Sequence, residues 1–300
     1  MLQDKCDYFM LAYESVNFSA AAAKVPMSPQ GFAKSMRNLE RELGVPLFTM
    51  QEDGTRRATP YADEFYEYAR HVRSERNLLS TAFERVAANS CVELRIACSL
   101  GIPGFLGHDF LTGFIKSHAD VVISLNEMPD KLCESVLRDG FYDLALTVLP
   151  GGDEFVSQPL YTSPVWYWVN QRDPLSVKDS LDLEDIGERS IAIPGDDFKC
   201  YKALVDKFER EQIPLPTIVK YSEIFWIYEF VLHGQGIGFT LPHLACLEVF
   251  EGNGAVCAVP LRDSSWGFGM AHLKSRDLSP VEEELVEYLQ NRIKRLGKRP

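Results

Sequence analysis

Polar and basic side chains between residues 29 and 43 are the first candidates for chemistry in this sequence. Gln30, Lys34 and Arg37 are separated by four and three residues, so a helix would place them on one face. Amide, ammonium and guanidinium groups donate hydrogen bonds to base edges and to phosphate oxygens. The spacing therefore indicates a surface that could bind nucleic acid.

An amphipathic helix over residues 29–43 would position these side chains. Ser28 is a suitable N-cap, Pro29 fits the first helical position, and Gly44 ends the helix. Apolar residues recur at i, i+4, i+7 and i+11 along this segment and form one stripe: Phe32, Met36, Leu39 and Leu43. The polar side chains lie off that stripe.

A shorter helix is predicted just before it, over the alanine-rich residues 19–25, and Pro26 separates the two. Two helices joined by a tight turn, the second with a polar outer face, predict a helix-turn-helix. After Phe48, the pair Asp53-Gly54 predicts a hairpin turn, which would form a wing. Arg56 and Arg57 lie on its returning arm, as phosphate or minor-groove contacts or as a solvated charge pair.

Residues 39–48, LERELGVPLF, are a more specific motif than the general helix-turn-helix pattern. With Phe18, Ala21-Ala22 and Ser28, they resemble the winged helix-turn-helix of the LysR-type transcriptional regulators. The resemblance implies a regulator that binds double-stranded DNA, with Gln30 and Lys34 at base edges and the remaining contacts at phosphates. The predicted DNA-binding residues are Ser28, Gln30, Lys34, Arg37, Arg56 and Arg57.

A long helix is predicted over residues 60–88, with apolar residues spaced alternately by three and four and one interruption at Arg76. Such a seam needs a partner helix. The resemblance implies the same helix of a second copy, in a homodimer or homotetramer, and packing on the chain's own second domain is the alternative. The predicted dimerisation residues are Phe65, Val72, Leu79 and Phe83.

Strand and helix patterns alternate from residue 90 to residue 300, which predicts a mostly parallel α/β sheet. Expected elements include one helix over residues 104–118 and separate strands over 157–160 and 165–170. The resemblance implies an effector domain built like a periplasmic binding protein, with two α/β subdomains. The predicted organisation is a DNA-binding domain at 1–60, a linker helix at 61–89, and an effector domain of two subdomains, about 90–162 plus 268–300 and 163–267.

The resemblance also implies a small-molecule effector in the cleft between these subdomains. The hydroxyl groups of Ser99 and Thr147 could hold a carboxylate, whereas Asp196 and Glu223 favour a cation or a hydroxyl-rich ligand. The predicted ligand-binding residues are Ser99, Leu100, Gly101, Thr147, Asp196, Phe198, Glu223 and Phe225. Trp266 could add an aromatic wall.

No catalytic constellation is found: GxSxG, GxxxxGK[ST] and HExxH are absent, and the six histidines lack metal-ligand spacing. We therefore expect no enzyme, no metal and no cofactor. The seven cysteines are spread without any CxxC, which favours buried reduced thiols. Cys200 lies near the reactive cysteine of the family's peroxide-sensing branch, but Phe208 stands where a partner cysteine is expected.

The net charge of −12 belongs mostly to the larger part of the chain, because residues 1–88 carry 11 basic and 12 acidic residues. No apolar run reaches the length of a membrane helix, and no secretion signal is apparent, so we expect a cytoplasmic protein without membrane contact. Ala33, Met50 and the acidic balance keep one alternative open. It is a small-molecule-binding module whose DNA-binding head has lost sequence specificity.

Overall fold

The computed structural model describes residues 2–50, 56–87, 92–107, 109–149, 152–251 and 254–296. The chain forms two compact units. One comprises Met1–Asn89 with Arg138–Phe141, and the other comprises Ser90–Leu137 with Tyr142–Pro300. Among the described helices, none combines the length and the apolar composition needed to cross a membrane.

The first unit has the predicted winged helix-turn-helix. Phe9, Phe32, Leu39 and Leu47 are fully buried in its core, where the helices and the wing meet. The two strands of the wing are antiparallel, and the predicted turn at Asp53-Gly54 lies outside the described residues. The elements are α1 (Leu2–Glu14), α2 (Phe18–Ala22), α3 (Pro29–Leu43), β1 (Phe48–Met50), β2 (Arg56–Ala58) and α4 (Pro60–Ala87).

Local hydrogen bonds explain where α3 begins and ends. The Ser28 hydroxyl oxygen accepts the backbone N–H of Gly31 at 3.1 Å, as expected of an N-cap. Gly44 has φ 72°, a left-handed conformation that glycine adopts without steric cost, and its N–H donates to the Glu40 carbonyl. The chain then turns directly into β1.

The second unit contains one eight-stranded sheet in the order β4-β3-β5-β10-β6-β9-β7-β8. Its strands are β3 (Val92–Ser99), β4 (Val121–Met128), β5 (Leu144–Thr147), β6 (Phe155–Asn170), β7 (Ile191–Pro194), β8 (Ile218–Tyr221), β9 (Ile237–Thr240) and β10 (Val256–Leu273). The helices are α5 (Ile102–Leu106), α6 (Thr112–Ser117), α7 (Asp130–Arg138), α8 (Leu183–Gly187), α9 (Lys199–Glu211), α10 (Ile224–Leu232), α11 (Pro242–Ala245), α12 (Glu248–Glu251) and α13 (Pro280–Leu296), with a 3₁₀ helix at Pro174–Val177.

Two parallel halves of this sheet are joined by two long antiparallel strands. Strands β3, β4 and β5 are parallel, as are β7, β8 and β9, and β6 and β10 pair with each other between them. Each half packs its own apolar core, one around Leu94 and Leu146 and the other around Ile191 and Phe239. The predicted two-part α/β architecture is therefore confirmed.

Three predicted elements were wrong in detail. The two short strands over 157–160 and 165–170 are the single strand β6, and β10 was not predicted. Prolines and glycines interrupt the alternating pattern of both strands, and register shifts in the β6–β10 pairing accommodate them. The helix over 104–118 is two helices, because Gly107 ends α5 with φ 82°.

Candidate functional sites

The outer face of α3 presents the side chains that were predicted to contact bases. Gln30, Lys34 and Arg37 are all exposed. Within the described part of the chain, none of the three has a hydrogen-bond or ion-pair partner. The apolar face of the same helix is buried through Phe32, Met36 and Leu39. The fold thus leaves this polar face available to a partner.

The two wing arginines have different environments. Arg56 Nη2 donates to the carbonyl oxygens of Ala12 and Ser15 at 2.5 and 2.6 Å, and its guanidinium lies 4.4 Å from the rings of Phe18 and Phe48. Burial lowers the pKa of this guanidinium. The prediction of a phosphate contact is corrected here, because Arg56 is held inside the fold by carbonyl oxygens and aromatic rings.

Arg57, next to it, is exposed on β2. No hydrogen bond or ion pair of its guanidinium occurs among the described residues. Adjacent strand residues point to opposite faces, which explains why one arginine is internal and the other external.

The apolar seam of α4 is divided into two parts. Phe65 packs edge-on against Phe9 of α1 with ring centroids 4.8 Å apart, and Val72 packs against the same core. Arg76 then pairs with Asp7 of α1 at 2.6 Å, which explains the interruption of the pattern. Beyond it, Leu79 is 53% exposed and Phe83 is 65% exposed. Of the four predicted dimerisation residues, Leu79 and Phe83 are therefore the exposed ones.

A cavity of about 180 Å³, here called the cleft cavity, lies in the second unit. Four of the predicted ligand-binding residues line it: Leu100, Gly101, Phe198 and Glu223. Glu127 and Asp130 also line it and were not predicted. A sequence signal existed, since the alternating pattern predicts a strand over residues 121–127 that ends at Glu127, and Asp130 follows it. Ligands of α/β sheets bind at the carboxyl ends of strands.

The other predicted ligand-binding residues do not line this cavity. Ser99 and Thr147 are buried, and their hydroxyl oxygens are 2.5 Å apart, so each is the hydrogen-bond partner of the other. The Asp196 carboxylate pairs with Lys220 at 2.8 Å. Phe225 is 46% exposed at the start of α10 and does not line the cavity. The expectation that Ser99 and Thr147 hold a carboxylate is not met by this geometry.

The charge of the cleft cavity is negative. Glu127, Asp130 and Glu223 line it, and no lysine or arginine of the described residues does. Asp130 is buried and accepts the backbone N–H of Lys199 at 2.9 Å, and its burial raises the pKa of this carboxyl. Neutral hydrogen-bond donors or a cation suit such a lining better than an anion.

Cys200 stands at the edge of the same cavity. Burial raises the pKa of its thiol well above the ordinary value. Reactive cysteines need a lowered pKa, so the environment of Cys200 disfavours a peroxide-sensing thiolate. Across the described residues, no group of three or more histidine, cysteine and carboxylate side chains could hold a metal ion.

Two family profiles match the sequence, one mainly in each of the two units. The family profile described as "LysR substrate binding domain" matches residues 88–294. The profile described as "Bacterial regulatory helix-turn-helix protein, lysR family" matches residues 4–63. Together they account for most of the sequence.

Individual relatives are similar over nearly their full length. The HTH-type transcriptional regulator BenM of Acinetobacter baylyi is 25% identical over 269 residues, covering 85% of this chain and 84% of that protein. The HTH-type transcriptional regulator CfxR of Cupriavidus necator is 23% identical over 288 residues, covering 94% and 88%. These curated relatives are transcriptional regulators and not enzymes.

Solved structures share the fold. The crystal structure of full-length BenM matches with a TM-score of 0.58 at 21% identity, over 99% of this chain and 96% of that chain. The Corynebacterium glutamicum OxyR C206 mutant matches with a TM-score of 0.59 at 17% identity, over 98% and 93%. The alternative of a binding module without a specific DNA-binding head finds no support among these proteins.

Proposed function

Because the chain belongs to the LysR family of transcriptional regulators, we propose that it recognises a specific DNA site through α3 and responds to a small molecule in the cleft cavity. The exposed and unpartnered set Gln30, Lys34 and Arg37 is the observation that carries the DNA-binding part. Gln30 would pair with adenine and Lys34 with guanine, while Arg37 would hold a phosphate.

Two further contacts flank this face. The Ser28 hydroxyl oxygen accepts the Gly31 N–H, which leaves its own proton for a phosphate oxygen. Arg57 on the wing is exposed and supplies a second cationic phosphate contact. Residues 1–88 have a net charge near zero, so affinity depends on these local positive groups and falls with added salt.

The active form is a homodimer or a homotetramer. The exposed side chains of Leu79 and Phe83 on α4 supply apolar surface for the contact between copies. A dimer would present two copies of α3 to a near-palindromic site. Since DNA is the target, we place the protein in the cytoplasm.

The effector of the cleft cavity carries a positive charge or several hydroxyl groups. Three carboxylates line the cavity, and neither Ser99 nor Thr147 offers its hydroxyl there. The aromatic side chains of Phe198 and Trp266 give the cavity an apolar side on which a cation can also be held. Loss of the Glu223 charge in Glu223→Gln would weaken the binding of such an effector.

Footprinting of the DNA upstream of the protein's own gene, with unrelated competitor DNA, tests the regulator function. The wild-type protein should protect a two-part site. Gln30→Ala should reduce the preference for one base pair by about 1–3 kcal/mol, whereas Arg37→Gln should weaken binding to all sites and reduce the salt slope by about one. Arg172→Gln is the matched control, because it also removes one exposed positive charge but lies in the second unit, away from α3 in the sequence. Loss of protection with competitor would contradict specific DNA binding.

A further inference from the structure

A second cavity, of about 350 Å³, lies in the second unit between α9 and strands β6, β9 and β10. We propose that this cavity, here called the α9 cavity, is an additional small-molecule site that binds a flat aromatic carboxylate carrying a hydroxyl group. Arg210 would pair with the carboxylate, and Tyr167 would hydrogen-bond the hydroxyl group. The volume is within the range of small-ligand sites in proteins.

Tyr167 is the first observation that points to a ligand. Its side chain lines the cavity although it is only 1% exposed. The hydroxyl group has no hydrogen-bond partner anywhere in the described part of the chain. Burial raises the pKa of this phenol, so it is present as a neutral group that can both donate and accept. The hydroxyl group is therefore free to hydrogen-bond a polar group of an occupant of the cavity.

The charges around the α9 cavity are the second observation. Arg210 is exposed and has no partner among the described residues. The Lys207 ammonium donates to the carbonyl oxygens of Arg262 and Asp263, which are neutral groups, so its charge is not compensated by them. Asp263 is the one carboxylate among the lining residues described. An anion is therefore favoured here, in contrast to the carboxylate-lined cleft cavity.

The Lys199 ammonium adds little to the positive charge around the α9 cavity. It pairs with the carboxylate of Glu134 and donates to the carbonyl oxygens of Val148 and Leu149. Arg210 is thus the group best placed for a carboxylate, since a guanidinium binds it through two parallel hydrogen bonds.

Apolar side chains form the remaining walls. Val165, Leu204, Phe239 and Leu261 line the cavity together with Trp266, and the Phe239 ring stands edge-on to Tyr167 with centroids 6.3 Å apart. Such walls favour a flat, apolar body for the ligand. Cys200, Phe239 and Trp266 also line the cleft cavity, so an occupant here would share a wall with the effector.

Titration calorimetry on the full chain tests the proposal with 4-hydroxyphenylacetate as the probe. Phenylacetate lacks the hydroxyl group, and 4-hydroxyphenylacetamide lacks the charge. Arg210→Gln should weaken binding of 4-hydroxyphenylacetate by about tenfold or more, as expected for the loss of a charge-assisted hydrogen bond. Tyr167→Phe should weaken the binding of 4-hydroxyphenylacetate by about fivefold and leave the binding of phenylacetate unchanged.

Two control variants keep the test specific. Lys202→Gln removes an exposed charge from α9 outside the cavity, and Tyr161→Phe removes a hydroxyl from β6 outside it. Both should bind the probe as the wild type does. Equal affinity of Arg210→Gln or Tyr167→Phe and these controls would overturn the proposal, as would the absence of probe binding to the wild type.

The readout also separates this site from the proposed regulator function. Glu223→Gln changes only the cleft cavity and should leave probe binding intact, and binding is measured without DNA. Loss of probe binding in Glu223→Gln would assign the probe to the cleft cavity and overturn a separate α9 site. Failure of DNA recognition with intact probe binding would refute the regulator function alone.

Discussion

The carboxylate of Glu40 accepts the backbone N–H of Leu47 at 2.8 Å and holds the turn between α3 and the wing. The same oxygen accepts the N–H of Phe48 at 3.0 Å. Leu47 is fully buried at this point, so the hydrogen bonds fix the apolar end of the turn in the core. Glu40, the first of the two acidic residues in the LERELGVPLF segment, therefore has a structural role beside the proposed DNA-binding face.

Replacing Glu40 should loosen the turn and the wing. We expect Glu40→Ala to reduce local stability by about 1.5–3 kcal/mol, because two backbone donors lose a charged acceptor. Hydrogen exchange of the amides in α3 and β1 measures this directly. Glu42→Ala, which removes only an exposed pair with Lys5, is the control and should cost at most about 1 kcal/mol. Equal protection in both variants would contradict the role of Glu40.

The two wing arginines should separate stability from DNA binding. Arg56→Gln removes a guanidinium bound to two carbonyl oxygens and stacked on two rings, so we expect a loss of roughly 2–3 kcal/mol in unfolding free energy. Arg57→Gln should change stability by less than about 0.5 kcal/mol, because the side chain is exposed.

DNA titrations at several salt concentrations complete this comparison. Arg57→Gln should lower affinity and reduce the salt slope by about one, as expected for one lost phosphate contact. Unchanged salt dependence of DNA binding in Arg57→Gln would show that Arg57 of the wing does not contact a phosphate.

Sequence patterns were most informative where a feature depends on neighbours in the chain. The Ser28 cap joins residues three apart, and the bond from Glu40 to Leu47 spans seven residues. Capping and turn preferences act at this range, so the helix-turn-helix could be predicted. Helical periodicity alone predicted that Gln30, Lys34 and Arg37 share the outer face of α3.

Features built from distant segments could not be predicted in this way. The carbonyl partners of Arg56 are more than 40 residues earlier in the chain, and Ser99 meets Thr147 across 48 residues. Strand β10 pairs with β6 through positions 86 to 118 residues apart, and its glycines and Pro260 hide the strand pattern. Only the folded chain reveals that the two predicted hydroxyl ligands are buried in contact with each other.

The exposed end of α4 should determine the oligomeric state. Replacing Leu79 and Phe83 together with glutamate should give monomers, because both side chains are exposed in the single chain and charge would oppose their burial between copies. Molar mass measured by light scattering over a concentration series tests this. Phe65→Glu is the contrasting variant, since Phe65 packs in the core of the first unit, and it should unfold that unit. A double variant that remains dimeric would place the main interface elsewhere.

His243 should make stability depend on pH below neutrality. Its ring centroid lies 5.2 Å from that of Phe105 and 6.0 Å from that of Trp266, and burial lowers the pKa of the imidazole from 6.5 to about 4. Between these two pKa values the unfolded chain binds a proton that the folded chain does not. Stability is therefore fully present above pH 6.5 and decreases as the pH falls towards 4, by an amount on the order of 3 kcal/mol.

Urea unfolding between pH 7.5 and 4 measures this loss as a difference between the wild type and His243→Phe. The variant cannot take up the proton, so its stability relative to the wild type should rise as the pH falls through the window. His233→Gln is the matched control, because His233 is exposed beside Glu229, and it should follow the wild type at every pH. If the wild type and His243→Phe lost stability in parallel, the buried neutral imidazole would not be the source of the acid sensitivity.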